Sequence, residues 1–233
     1  MYNLKDLYRG GYMIDLHTHT LFSDGALLPS ELVYRAKYKG YKAIAITDHG
    51  DYSNIDFNIP RIIKVSEILT RHYEIQVIPG VELTYVPPKL IKEAAAECRK
   101  LGAKIIVVHG ETTAETVPPQ TNLYALEAGI DILAHPGHLS AEEASIAAKN
   151  DVKIEITTRK GHKATNAEVA AAALNAGAKM VLNTDTHVPE NLFTREIILQ
   201  TLSESGLPAH YYETMLQNAR EILNKSGYKG VLK

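Results

Sequence analysis

The sequence predicts an α/β fold in the form of a parallel barrel of seven strand–helix units. Three observations carry that expectation. Short apolar runs alternate with amphipathic stretches along the chain, and strict alternation implies parallel strands joined by right-handed crossovers. The runs are apolar without a period of two, as expected of strands covered on both faces. Ionisable residues follow six of the seven runs, whereas an open doubly wound sheet collects its ligands at one switch point.

The elements follow in order. Strand one is 12–16, and the next helix opens at Pro29, carries 31–37 and stops at Gly40, where a glycine C-cap belongs. Strand two is 43–46. A polar loop with Gly50, Ser53 and Asn54 leads to a helix over 60–71 and to strand three at 75–78. A helix over 89–101 closes on Gly102 before strand four at 105–108. Residues 122–128 form a helix stopped by Gly129, and strand five is 132–134. The chain continues with a helix over 141–149, strand six at 152–156, an alanine-rich helix over 166–176 capped by Gly177, and strand seven at 180–182. Helices over 191–205 and 211–224 finish it.

With 233 residues and no linker, the expectation is one domain, 1–233, with a motif core over 12–190 and C-terminal helices over 191–233. The net charge of −2, without a long Lys/Arg block, argues against a dedicated nucleic-acid or membrane surface. A nucleic-acid partner is not favoured but stays open, and the oligomeric state is not readable. The single cysteine, Cys98, excludes a disulfide framework and suits a reducing compartment. The opening residues 1–7 have no signal-peptide core, and no apolar run reaches membrane-spanning length, so a cytoplasmic location is expected.

The strand ends carry the chemistry. His17 and His19 lie two apart and point to one face of an extended segment, a geometry suited to a shared cation. Asp24 follows in Ser23-Asp24-Gly25, then His49 in Thr47-Asp48-His49, Glu82 in Gly80-Val81-Glu82, His109, His135 in His135-Pro136-Gly137, and Asp185 and His187 in Asp185-Thr186-His187. Any one such histidine is more often a hydrogen-bonded structural residue. As a set, six imidazoles and three carboxylates at one mouth exceed what one ion uses, so two or three divalent ions are expected, with Glu82 or Asp185 as the bridge. Asp48 and Asp15, which alternate to the opposite face, read as supporting residues.

The other candidates are weaker. His72, at a helix end, and His210 read as surface residues, and His138 as a marginal candidate for the mouth. The segment Glu155 to Lys163 places Arg159, Lys160 and His162 above the ions, where a guanidinium matches phosphate oxygens; a solvated basic loop is the competing reading. Arg195 is a lesser second cation. Residues 51–58 and 111–121 are long for strand-to-helix turns and read as lids.

These motifs, in this order, resemble the PHP (polymerase and histidinol phosphatase) family over about residues 15–189. The resemblance implies a distorted seven-stranded, TIM-like (β/α)7 barrel with a trinuclear site of manganese, zinc or iron. It implies that His17, His19, Glu82 and Asp185 hold one ion, that Glu82, His109 and His135 hold a second, and that Asp24, His49 and His187 hold a third. The aspartate at 24, where some members have histidine, and the glutamate and arginine of the sixth strand segment resemble the stand-alone, histidinol-phosphatase-like members.

The function expected from such a site is hydrolysis of a small phosphorylated metabolite or nucleotide. A hydroxide bridging the ions attacks phosphorus, Arg159 neutralises developing charge, and His187 or Asp24 handles the leaving-group proton. The alternatives are a module serving a DNA polymerase in trans, an amidohydrolase-type C–N hydrolase, and a non-catalytic metal-binding regulator. The absence of a lysine after strand four counts against the amidohydrolases.

Overall fold

A computed structural model describes residues 12–228, so the opening residues 1–7 lie outside what it describes. The strands are β1 (Met13–Asp15), β2 (Tyr41–Ile46), β3 (His49–Gly50), β4 (Gln76–Leu83), β5 (Ile105–His109), β6 (Ile132–Ala134), β7 (Lys153–Thr157) and β8 (Met180–Asn183). The helices are α1 (Pro29–Tyr38), α2 (Ile55–Tyr73), α3 (Ile91–Leu101), α4 (Thr121–Leu126), α5 (Ala141–Asn150), α6 (Asn166–Ala176), α7 (Arg195–Glu204) and α8 (Tyr211–Lys225).

Seven parallel strands in the order β1-β2-β4-β5-β6-β7-β8 form a nearly closed barrel with helices alternating around it. Closure between β1 and β8 is not a regular ladder. It rests on a bridge between Thr18 and Thr186, where His19 N donates to Thr186 O at 2.8 Å, and on Leu16 N donating to Asn183 Oδ1 at 2.9 Å. A side chain thus completes a seam that backbone pairing alone leaves short, which is the distortion the family resemblance implies. The two-residue β3 pairs only with β4, setting His49 opposite Glu82.

The strand interiors are buried throughout, with Ile44, Ile46, Ile105, Val107, Ile132, Ile154 and Val181 at 0 % exposure, as apolar runs covered on both faces require. Helix boundaries follow the expected signals at several ends. Pro29 opens α1, and Gly102 (φ +103°) and Gly177 (φ +71°) cap α3 and α6 in the left-handed conformation that glycine adopts without strain. Ser140 and Glu143 form a reciprocal capping box that starts α5.

Several boundaries differ: β4 runs on to Leu83 rather than ending at 78, so Glu82 lies within it, α7 begins at Arg195 rather than 191, and α4 ends at Leu126 rather than 128. Helix α2 begins at Ile55 rather than Pro60, because Ile55, Asn58, Ile59 and Ile62 bury one face and outweigh the single backbone bond that Pro60 cannot donate. The expected lid over 51–58 therefore shrinks to the turn before Ile55, and Phe57 sits on the helix under the Arg61 guanidinium, 3.4 Å from its ring centre. The second expected lid is a loop between β5 and α4. At the opposite end of the barrel, α8 is tied in by Asn218 Nδ2 donating to Met180 O at 2.8 Å and by Lys179 pairing with Glu221 at 2.6 Å.

Candidate metal centre

The strand ends converge. His17 and His19, wholly buried on the extended segment after β1, have ring centres 5.0 Å apart. Register places Glu82 beside His49, and Glu82, also wholly buried, becomes the hub. Its Oε2 lies 3.3 Å from His17 Nε2, 3.5 Å from His19 Nε2 and 2.8 Å from His49 Nδ1; its Oε1 lies 3.3 Å from His109 Nδ1 and 3.5 Å from His135 Nε2.

Asp185 faces the hub from the end of β8, with Oδ1 3.1 Å from His19 Nε2 and 3.7 Å from His17 Nε2. Asp24, with its side chain 59 % exposed, stands at the mouth, 3.0 Å from His187 Nε2 and 3.5 Å from His49 Nε2. The backbone bends to make this possible: Asp185 (φ +51°) and His135 (φ +24°) are non-glycine residues in left-handed geometry, the kind of local strain concentrated at sites. At Gly137 (φ +67°) an added Cβ would lie 2.0 Å from Glu111 O, so only glycine lets the loop after β5 pack there.

Asp15 and Asp48 face away from this cluster. Asp15 accepts from Thr184 Oγ1 at 2.6 Å, and Asp48 accepts from Thr20 N, Thr20 Oγ1 and Ser23 Oγ, all at 2.7 Å. Both brace the segments that carry the candidate ligands. Burial pushes the Asp15 carboxyl up to about 7, with Thr184 and His17 opposing the rise.

Four overlapping groups of donors lie close enough to share an ion: His19, Asp24, His49 and His187; His17, His19 and Glu82; His17, His135 and Glu155; and His49, Glu82 and His109. The donor set also passes a test on satisfaction. His17 Nε2, both nitrogens of His19 and of His109, His135 Nδ1, both oxygens of Glu82 and Asp185 Oδ1 are buried without a hydrogen-bond partner. That many orphaned donors in one place would be costly, and cations satisfy them together. The electrostatics agree. Burial resists charge on Glu82, Asp185 and Asp24, but the surrounding imidazoles hold all three well below the ordinary carboxylate range. Burial lowers His17, yet Glu82, Glu155 and Asp185 outweigh it and raise its pKa, whereas burial brings His19 down to about 3. Against burial, the same acids raise His49, to about 9, and His135, so before an ion binds these imidazoles carry the compensating protons that binding of a divalent ion would release.

Above the cluster opens a cavity of about 530 Å³, lined among others by Asp24, Asp51, Tyr85, Glu115, Arg159 and His162. Arg159 Nη1 donates to Asp185 O at 2.9 Å and reaches His187 Nδ1 at 2.5 Å. His162 is 8 % exposed, pairs Nδ1 with Thr112 Oγ1 at 2.7 Å and stacks on His135 at 4.5 Å; burial lowers it to about 4. Lys160 is not brought in: it is exposed and outside the lining. His138 is exposed and pairs with Glu168, Arg195 lines a separate groove with Tyr12 and Phe193, and His72 and His210 are exposed.

A family model for the PHP domain matches residues 15–231. The chain belongs to the PHP domain family. Among PHP relatives, an uncharacterized protein of Methanocaldococcus jannaschii is 46 % identical over 91 % of this chain and 98 % of that one. A probable phosphatase of Proteus mirabilis is 31 % identical over 84 % of this chain and 87 % of its own length. In fold, the chain is similar to one in the cryo-EM structure of archaeal ribonuclease P with mature tRNA (TM-score 0.70, 18 % identity, 93 % of this chain and 92 % of that one).

Two residues near the donors of this PHP chain went unassigned in the sequence reading. Glu155 Oε2 accepts from Asn183 Nδ2 at 2.9 Å and lies 2.8 Å from His17 Nδ1. A lone acid between Ile154 and Ile156, opposite in alternation to both, was its signal. Glu115 lies in an aperiodic loop that carries no such signal. Among the described residues, no helix is long and apolar enough to cross a membrane.

Proposed function

We propose that this PHP chain is a metal-dependent phosphoesterase acting on a small phosphorylated substrate. One observation carries the reading: orphaned imidazole and carboxylate donors converge beneath an open cavity that has a guanidinium on its wall. The relatives named probable phosphatases support it. His17, His19, Glu82 and Asp185, with His49, His109, His135, Asp24 and His187, would hold two or three divalent ions; imidazole-rich sites with carboxylates suit zinc, iron or manganese. When bound, such ions polarise phosphoryl oxygens and activate water for in-line attack.

The rest falls to the side chains. Glu82, placed between two donor groups, bridges them and holds their spacing. Arg159, fixed by the Asp185 carbonyl, binds phosphoryl oxygens and neutralises charge developing on them. Asp24 and His187, 3.0 Å apart at the mouth, would hold the outermost ion; with only two ions bound, they would instead be the groups to relay a proton to the departing oxygen. The buried floor of His17, His19 and Glu82 keeps bulk water from competing for the donors.

The test uses p-nitrophenyl phosphate and its bis-ester. Chelator-stripped protein is expected to be inactive, manganese is expected to restore hydrolysis, and His17→Ala to abolish it. Hydrolysis indifferent to both chelation and His17→Ala overturns the proposal.

A further inference from the structure

The cavity above the donors has two walls of different chemistry. Among the described residues that line it, Arg159 is the lone lysine or arginine and Tyr85 the lone carbocyclic ring; the others are chiefly hydroxyl, amide, carboxylate and imidazole groups. Tyr85 is 54 % exposed, and its ring lies nearly parallel to that of His109, tilted by 22° with centres 6.1 Å apart. The ring thus gives much of its surface to the solvent-filled side of the site rather than to the core.

That placement is held against a backbone cost. Tyr85 has φ +55°, left-handed geometry that a bulky side chain rarely adopts. The segments on either side impose it. Before Tyr85, Thr84 N donates to Gly50 O at 3.1 Å and Thr84 Oγ1 meets His49 Nδ1 at 2.6 Å. After it, Val86 is 3 % exposed, and Pro87 and Pro88 lead into a 3-10 turn over Pro88–Leu90. A glycine would meet the same backbone demand without strain. A large aromatic ring kept at a strained, outward-facing position adds little to the core, and strain of this kind gathers at ligand sites.

We propose that Tyr85 is a specificity-determining residue: its ring stacks on a planar aromatic group of the substrate while Arg159 takes the phosphoryl oxygens, so the site prefers phosphate esters that carry a flat ring. The inference deepens the phosphoesterase reading above and rests on it. Flat rings meet face to face with close dispersion contact and favourable quadrupole geometry, which a puckered saturated ring of the same size cannot match. The polar groups on the rest of the lining offer no competing apolar surface, so the ring of the substrate has one wall to lie on.

Two measurements on the full chain test it. The first compares benzyl phosphate with cyclohexylmethyl phosphate, which share a carbon skeleton and differ in the flatness of the ring. Wild type is expected to favour the benzyl ester in kcat/KM, Tyr85→Phe to keep that preference, and Tyr85→Gly to shrink it roughly 5-fold while melting within a few degrees of wild type. A preference absent from wild type or unmoved in Tyr85→Gly overturns the proposal, and a marked fall in the Tm of Tyr85→Gly overturns it by assigning the ring to the fold. The second measurement needs no turnover. With no tryptophan in the chain, Tyr85→Trp installs a single fluorophore in the cavity wall. In zinc-loaded protein, benzylphosphonate is expected to change its emission saturably, and cyclohexylmethylphosphonate only at several-fold higher concentration; equal responses, or none, overturn the proposal. A wild type that hydrolyses neither ester overturns the phosphoesterase reading, and the fluorescence titration then decides the stacking by itself.

Discussion

Glu155 Oε2 lies 2.8 Å from His17 Nδ1, although the two residues are 138 positions apart. They belong to β7 and the segment after β1, with β8 between them in the sheet, so the contact crosses the barrel interior. A carboxylate behind Nδ1 leaves Nε2 of His17 facing Glu82 and Asp185, and Asn183 holds that carboxylate in turn.

Removing this support is expected to weaken ion binding without emptying the cavity. Glu155→Gln should lower manganese affinity by roughly 10- to 100-fold, as loss of an acid behind a ligating histidine does. Competition against a chromogenic chelator checks it, and an unchanged affinity would show that His17 orients itself.

Arg159 and Lys160 are adjacent, yet only Arg159 lines the cavity. Arg159→Ala is expected to reduce kcat/KM for p-nitrophenyl phosphate by about 10² to 10³, the range for losing one donor to developing charge. Arg159→Lys recovers only part of it, since an ammonium cannot reproduce the guanidinium fork. Lys160→Ala should stay within about twofold; a large effect there would relocate the phosphate contact to the exposed side of the loop.

Far from the cavity, Asp151 pairs with Lys153, which is 1 % exposed, and with Lys179 and Lys225. Burial raises the Asp151 carboxyl, but Lys153 and Lys225 together outweigh it and hold its pKa well below the ordinary 3.8. A carboxyl depressed in the folded state adds stability that is fully present above that ordinary value and is lost as the pH falls toward the folded value. Wild-type protein should therefore lose more stability than Asp151→Asn between pH 5 and the acid limit, read as the fall in urea midpoint. At pH 7 Asp151→Asn should cost about 1 to 3 kcal/mol, because Lys153 keeps only a weaker partner in Glu221 at 3.6 Å. Parallel acid profiles for the two proteins would refute the assignment.

Much of the fold was legible because strands and helices announce themselves through local patterning. The seven strand positions follow from apolar runs, and helix ends at Pro29, Gly102 and Gly177 follow from backbone preferences of single residues. The start of α2 was missed where a local signal, Pro60, competed with burial of Ile55 and Ile59, which depends on what packs opposite. His138 looked available three residues after His135 and instead pairs, from the loop after β6, with the exposed Glu168 of α6.

The sequence by itself determined the inventory: which side chains stand at strand ends, and that His17 and His19 share a face, because the two-residue period of an extended chain is local geometry. Only the tertiary structure decided how they meet. It set Glu82 as the hub, put Glu155 behind His17 and Glu115 behind His109, and closed the barrel through Thr18 and Thr186. Those are contacts between distant segments, fixed by strand register and barrel curvature, and no window of neighbouring residues encodes either.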